Sequence, residues 1–144
     1  MFADASCATS VRAKFLQFAH DFTFAVIAYC LMPDHLHGLL EGLSGDSDFR
    51  RFVSMFKQRT GFDYRQTTRN HLWQEGYYDH VVRDEESLLG IAAYILHNPE
   101  RAGLCTTIED YEFLGSDRYT VAELIDAVQI PPAGWDRASR SATL

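Results

Sequence analysis

The stretch that decides the fold is Leu31-Met32-Pro33-Asp34-His35-Leu36-His37-Gly38-Leu39-Leu40. An apolar strand, Phe22 to Met32, runs into a Pro-Asp turn, and a second strand, His35 to Glu41, follows, so the stretch predicts a β-hairpin. Alternate strand residues share a face, so the two histidines point the same way while Leu36 points into the core. Such a pair can bind one metal ion or polarise one phosphate, but polar residues on a solvated face have the same spacing.

The length of the chain, 144 residues, suits one domain, which we predict over residues 1–130, followed by a loose C-terminal tail over residues 131–144. The chain is 47% hydrophobic, which is typical of a globular protein. Its three cysteines are scattered, which argues against a disulfide framework and for a reducing compartment. The apolar run from Phe22 to Met32 is too short to span a membrane. We therefore expect a cytoplasmic protein.

The net charge of −7 argues against nucleic acid, but the charge is unevenly distributed. Residues 50–69 carry +5, so the rest of the chain carries −12. A basic segment in an acidic chain can bind phosphates, or it can be the solvated face of a helix. The candidate DNA-binding residues are its six cations: Arg50, Arg51, Lys57, Arg59, Arg65 and Arg69.

The remaining elements are mostly helical. One helix follows Ser10 as its N-cap and ends near His20, and another runs from about Asp48 to Gln66. In the second helix an apolar stripe is formed by Phe49, Phe52, Val53 and Phe56, which we expect in the core. Residues 77–83 have the composition of a strand. A helix capped by Asp84 must end near Asn98, before Pro99, and a final helix covers residues 119–128.

Tyr94 lies nearly opposite the apolar side of the predicted helix 84–98, whose core residues we expect to be Leu88, Leu89, Ala92, Ile95 and Leu96. An ordinary amphipathic tyrosine with a wet hydroxyl would have the same pattern. Asn98 follows on the tyrosine's face, one turn later, although it can also cap the next turn. The spacing places a nucleophile and an amide oxygen where both could serve one ion.

Several motifs together resemble single-tyrosine HUH transposases. The hairpin around His35 resembles the His-hydrophobic-His element of that family. Residues 73–80 and 94–104, Trp-Gln-Glu-Gly-Tyr-Tyr-Asp-His and Tyr-Ile-Leu-His-Asn-Pro-Glu-Arg-Ala-Gly-Leu, resemble the REP-associated branch. The likeness extends over about residues 10–115.

The resemblance implies an α+β fold, a ferredoxin-like βαββαβ antiparallel sheet with helices on one face. The usual first strand of the family would precede the segment that begins at Met1. Either the start codon is placed too late, or the gene is a decaying fragment that lacks this strand, or another segment fills the gap. The implied partner is single-stranded or hairpin DNA. We expect no association with a membrane, and we expect the protein to be a monomer or homodimer. Tyr94 would attack the scissile phosphate and form a 5′-phosphotyrosine. His35, His37 and Asn98 would bind a divalent ion, Mg²⁺ or Mn²⁺, although imidazole ligands suit Zn²⁺, Ni²⁺ or Cu²⁺ better.

Three other functions fit parts of the sequence. A domesticated or truncated relative would bind DNA hairpins without cutting them. A nucleotide hydrolase of the histidine-triad type would need a third alternating histidine, but Leu39 stands at that position. A structural domain would have histidines without chemistry.

Overall fold

A computed structural model of the protein describes residues 2, 4–77, 79, 85–128 and 142–144. Its centre is a four-stranded antiparallel sheet in the order β3-β1-β2-β4. The strands are β1 (Phe24–Leu31), β2 (Leu36–Gly42), β3 (Leu114–Gly115) and β4 (Ala142–Thr143), and the helices are α1 (Ala5–Asp21), α2 (Phe49–Thr68), α3 (Glu85–Leu96), α4 (Asn98–Arg101) and α5 (Val121–Val128). The predicted α+β class is confirmed.

Strand β1 is buried along its whole length because it has strands on both sides and helices on both faces. It forms the predicted hairpin with β2, in which Leu31 pairs with Leu36 and Cys30 with His37. The register shifts at Ile27, an irregularity that changes which alternate residues of β1 face each side of the sheet.

One face of the sheet is covered by α1 and α2. Phe15 of α1 meets Phe52 and Phe56 of α2 in a cluster that also holds Val26 and Leu36 of the sheet. The predicted stripe of α2 is therefore in the core, as expected.

The opposite face is covered by α3 and α5, which pack on the other residues of the strands, including Leu39. The expectation that helices cover one face is therefore corrected, because β1 is apolar on both faces and both need cover. The core residues of α3 are Ile91, Ala92, Ala93, Ile95 and Leu96, whereas Leu89, predicted there, is 47% exposed.

Several helix ends differ from the prediction. Helix α1 begins at Ala5 rather than after Ser10, because the Asp4 carboxylate caps it by accepting hydrogen bonds from two backbone N–H groups. Helix α2 is capped by Asp48, where the predicted helix begins. It extends two residues beyond the predicted end, to Thr68, and the next residue, Arg69, adopts a left-handed conformation.

Helix α3 ends at Leu96, two residues earlier than predicted. Asn98 then begins α4, with Pro99 in its first turn, where proline is favoured because its missing N–H has no helical partner. The last predicted helix begins at Val121 instead of residue 119.

The predicted strand at residues 77–83 and the Asp84 cap lie mostly outside the described residues, and neither Tyr77 nor Asp79 is in a strand. At the end of the segment predicted as a loose tail, Ala142 and Thr143 form β4 and pair with β2. The backbone groups of Leu144 and Leu36 add two hydrogen bonds. Strand β4 therefore forms the edge of the sheet beside β2.

No described helix combines the length and apolar character needed to cross a bilayer.

We predict that Gly38→Ala destabilises the protein. A Cβ atom at this position would lie 3.0 Å from Cζ of Phe15 and 3.2 Å from Cδ1 of Leu40, and the fully buried Phe15 ring has no room to move. The expected loss is about 1–3 kcal/mol of unfolding free energy, measured by urea denaturation. Gly45→Ala is the matched control, because its Cβ would meet no atom within 4 Å. Equal stability of the two variants would contradict this account of the packing.

Candidate functional site

The two histidines of the hairpin converge, as the alternation of β2 predicts. Nε2 of His35 lies 2.8 Å from Nε2 of His37, and the rings are perpendicular. Leu36 between them is buried on the opposite face of the strand. The pair therefore presents two ring nitrogens to one point at the start of β2.

Asp34 determines which nitrogen of His35 carries a proton. Its carboxylate lies 2.6 Å from Nδ1 of His35, and this hydrogen bond lowers the pKa of Asp34. An ionised carboxylate only accepts hydrogen bonds, so Nδ1 of His35 is the donor in this pair. Such a carboxylate–histidine pair is typical of the shell behind a metal-binding imidazole.

His37 is 7% exposed, and burial is the main reason that its pKa falls to about 4, with contributions from His35 and Arg101. The ring is therefore neutral at neutral pH. Its Nδ1 lies 3.1 Å from the hydroxyl of Thr143 in β4. Because a hydroxyl can donate or accept, Thr143 is compatible with either tautomer of His37.

Tyr94 reaches this pair from α3. Its ring centre lies 6.2 Å from that of His37 at an interplanar angle of 87°, an edge-to-face contact. The contact is possible because His37 and α3 are on the same face of the sheet. Tyr94 is partly buried. The structure thus brings together the three side chains that the sequence analysis singled out.

Arg101 of α4 joins this group, although the sequence analysis gave it no role. Its guanidinium lies 4.1 Å from the centre of the Tyr94 ring, and its Nη2 donates to the Tyr94 carbonyl and to Oδ1 of Asn98, at 2.8 Å each. The amide nitrogen of Asn98 is buried and has no hydrogen-bond partner among the described residues. The sequence did contain a signal, because residues seven apart, such as Tyr94 and Arg101, lie on the same face of a continuous helix. The predicted helix ended near Asn98, so this signal was not used.

The cations of residues 50–69, apart from Lys57, lie elsewhere. Their helix, α2, packs on the face of the sheet opposite Tyr94. Arg51 lies over the ring of Phe22, and Phe49 meets Phe24, so the start of α2 is at the end of β1 far from the histidines.

Three of these cations have local partners. Arg59 pairs with Asp63 at 3.4 Å, and Nη2 of Arg65 lies 2.8 Å from Nδ1 of His71. Lys57 donates to the carbonyls of Gln74 and Gly76. Arg50, Arg51, Arg65 and Arg69 are exposed. Of the six, only Lys57 approaches the histidines, since it lines a cavity of about 360 Å³ with His35, Trp73 and Tyr77.

The residues at the site fit a divalent cation in part. Two neighbouring imidazoles, each with a polar partner at Nδ1, are suitable ligands once Nε2 of His37 has lost its proton to Nδ1. In the described part of the chain, no group of three or more His, Cys, Asp or Glu surrounds them. The amide oxygen of Asn98, the third ligand that the resemblance implies, accepts a hydrogen bond from a guanidinium, which disfavours a second cation there. The site thus offers two good ligands and leaves the others to a substrate.

We predict that the metal-free protein has His35 protonated at Nδ1, where Asp34 accepts the proton, and His37 protonated at Nε2. With the proton of His35 on Nδ1, a hydrogen bond between the two Nε2 atoms requires that His37 be the donor. Long-range ¹H–¹⁵N spectra of the histidine side chains measure the tautomers. Asp34→Asn should weaken the His35 preference, whereas Asp46→Asn, in the loop before α2, should not. A His35 ring protonated at Nε2 would contradict the assignment.

Several known proteins are similar to this chain in sequence or in fold. The family model described as "Transposase IS200 like" matches residues 1–98. A protein of Haemophilus influenzae assigned to the REP-associated tyrosine transposases is 24% identical over 124 residues, which cover 78% of this chain and 70% of the relative. The REP-associated tyrosine transposase of Escherichia coli K12 is 26% identical over 107 residues, which cover 72% of this chain and 61% of the relative.

A solved structure of a REP-associated tyrosine transposase bound to a REP hairpin has a similar fold, with a TM-score of 0.63 at 23% identity. The similarity covers 72% of this chain and 61% of that chain. The match to the family model extends over more than half of the sequence and includes the histidine pair, Tyr94 and Asn98. The chain therefore belongs to the IS200-like transposase family.

Proposed function

We propose that the protein cleaves and rejoins single-stranded DNA beside a hairpin, with Tyr94 as the nucleophile. The observation that carries this proposal is the edge contact of the Tyr94 ring with His37, whose Nε2 lies 2.8 Å from that of His35. A phenol next to two converging imidazoles is an arrangement suited to attack on a phosphodiester.

In the proposed step, Oη of Tyr94 forms a bond to phosphorus, and the bond from phosphorus to the 3′ oxygen breaks. The leaving 3′ oxygen takes up a proton, and the phenol gives up its own. The products are a 5′-phosphotyrosine and a free 3′-OH. Because the ester keeps the energy of the broken bond, a second 3′-OH can reverse the reaction and join a new strand without ATP.

We propose His35 and His37 as ligands of Mg²⁺ or Mn²⁺, which would supply Lewis acidity at the scissile phosphate when bound. Asn98 remains a candidate ligand only if its amide oxygen uses a second lone pair, since the first accepts from Arg101. The neutrality of buried His37 supports the role, because a protonated imidazole cannot bind a metal.

The proposed partner is hairpin DNA, which is what the similar solved structure binds. The exposed arginines of α2 are remote from Tyr94, so we assign them to the body of the hairpin rather than to the scissile phosphate. Lys57 is closer, but it is held by two backbone carbonyls, and burial lowers its pKa.

Tyr94→Phe should lower the yield of covalent adduct with a labelled single strand that carries a hairpin by at least about 100-fold, because the nucleophilic oxygen is lost. Its affinity for the same DNA should change little. Adduct formation is measured on denaturing gels with Mn²⁺ present, and binding by fluorescence anisotropy.

The matched control is Tyr119→Phe, at a tyrosine that is 50% exposed outside the site. EDTA should prevent the adduct in the wild type. An adduct of equal yield from Tyr94→Phe means that another residue is the nucleophile. If the folded wild type binds the hairpin but never forms an adduct, the protein is a hairpin-binding relative.

The double variant Arg50→Gln/Arg51→Gln should bind the hairpin more weakly and with a flatter salt dependence, by up to about two units of slope, because two phosphate contacts are lost. Adduct formation on a short strand without a hairpin should be unaffected, because both arginines are far from Tyr94. Arg118→Gln, which removes an exposed arginine elsewhere, is the control. An unchanged salt slope would exclude the start of α2 from the DNA path.

A further inference from the structure

We propose that Arg101 is a catalytic residue that binds a non-bridging oxygen of the scissile phosphate while Tyr94 attacks the phosphorus. This inference rests on the proposed function, because it assigns a second group to the same reaction. It concerns a residue outside both the histidine pair and the basic segment of α2.

The position of Arg101 carries the argument. Its guanidinium is 4.1 Å from the centre of the Tyr94 ring, so a phosphate within reach of the Tyr94 hydroxyl is also near a planar cation. The residue is exposed, and its Nη2 also donates to Oδ1 of Asn98, one of the candidate metal ligands. The cation is therefore next to both the nucleophile and the candidate metal ligands.

The guanidinium is also held in place. Its Nη2 donates to the Tyr94 carbonyl near the end of α3 and to Oδ1 of Asn98. These bonds fix the cation relative to the nucleophile, which lowers the cost of ordering it in the reaction. A guanidinium offers five N–H donors in a rigid fork that suits phosphate oxygens, which a lysine does not.

Charge develops on the phosphate oxygens as the tyrosine oxygen approaches, and a fixed cation stabilises that charge more than it stabilises the substrate. Arg101 would contact a non-bridging oxygen, and the bonds made and broken remain those of the proposed step. The competing explanation is a structural one, in which Arg101 only caps the last carbonyls of α3 and holds Tyr94.

The test compares two single strands, one with an ordinary scissile phosphodiester and one with a neutral methylphosphonate at that bond. Arg101→Gln should slow adduct formation on the phosphodiester by about 100-fold, because one fixed charge is lost from the transition state. On the methylphosphonate, which lacks the charged oxygen, the variant should be within about fivefold of the wild type. Arg101→Lys should lie in between on the phosphodiester. Arg118→Gln should match the wild type on both strands.

Equal slowing of Arg101→Gln on both strands would overturn the proposal and assign Arg101 a structural role. An adduct rate equal to the wild type would overturn it as well, while the role of Tyr94 would stand. A wild type that forms no adduct on the phosphodiester would overturn both the proposed function and this inference. If thermal melts show that Arg101→Gln does not fold, Arg101→Lys is compared on the same two strands instead. Slowing on the phosphodiester alone would support the contact, and equal slowing on both strands would exclude it.

Discussion

Two imidazole nitrogens 2.8 Å apart cannot both present lone pairs to each other, and the site depends on how this repulsion is relieved. In the predicted tautomers a proton on Nε2 of His37 relieves it in the free protein, and a cation between the rings would relieve it as well. Asp34 removes the other solution, because it keeps the proton of His35 on Nδ1. A metal ion could therefore bind between the rings without any proton leaving the pair, because the His37 proton would move from Nε2 to Nδ1, and the neighbouring hydroxyl of Thr143 can bond to either form.

The sheet lies between the candidate site, formed by His37 and Tyr94, and the basic helix α2. Because β1 is apolar on both faces, helices cover both, and alternation along β2 directs His37 to the face that carries α3. The cations of α2 are on the other face. DNA that contacts both would have to pass around an edge of the sheet, and the edge beside the histidines is formed by β4.

Local patterns predicted much of this arrangement. The alternation of His35, Leu36 and His37 predicted the pair, and the Phe stripe predicted the buried face of α2. Contacts between distant parts of the chain could not be predicted from local sequence patterns. Thr143, for example, contacts His37 across 106 residues, and no local pattern indicates that pairing. Arg101 was missed for a different reason. Its contact with Tyr94 crosses the turn between α3 and α4, and the helix predicted around Tyr94 ended near Asn98, before it reached Arg101.

The charges around Tyr94 explain why two histidines could be enough for a metal that acts only with its substrate. Asp34 contributes one negative charge behind His35, and Arg101 contributes one positive charge beside Tyr94, so the fixed charges of these two residues cancel. A divalent ion on two neutral imidazoles would then gain little attraction from the protein and would be repelled by Arg101. A bound phosphate would change both contributions, because its oxygens can bind the ion and the guanidinium together. The ion would then be attracted by the phosphate, and the repulsion by Arg101 would be offset. Metal and DNA would therefore favour each other's binding, and by linkage each would raise the affinity for the other by the same factor. If the proposed site binds a metal, it would hold the ion weakly until the strand is in place, which would suit Mg²⁺ or Mn²⁺ better than an ion that imidazoles bind tightly without substrate.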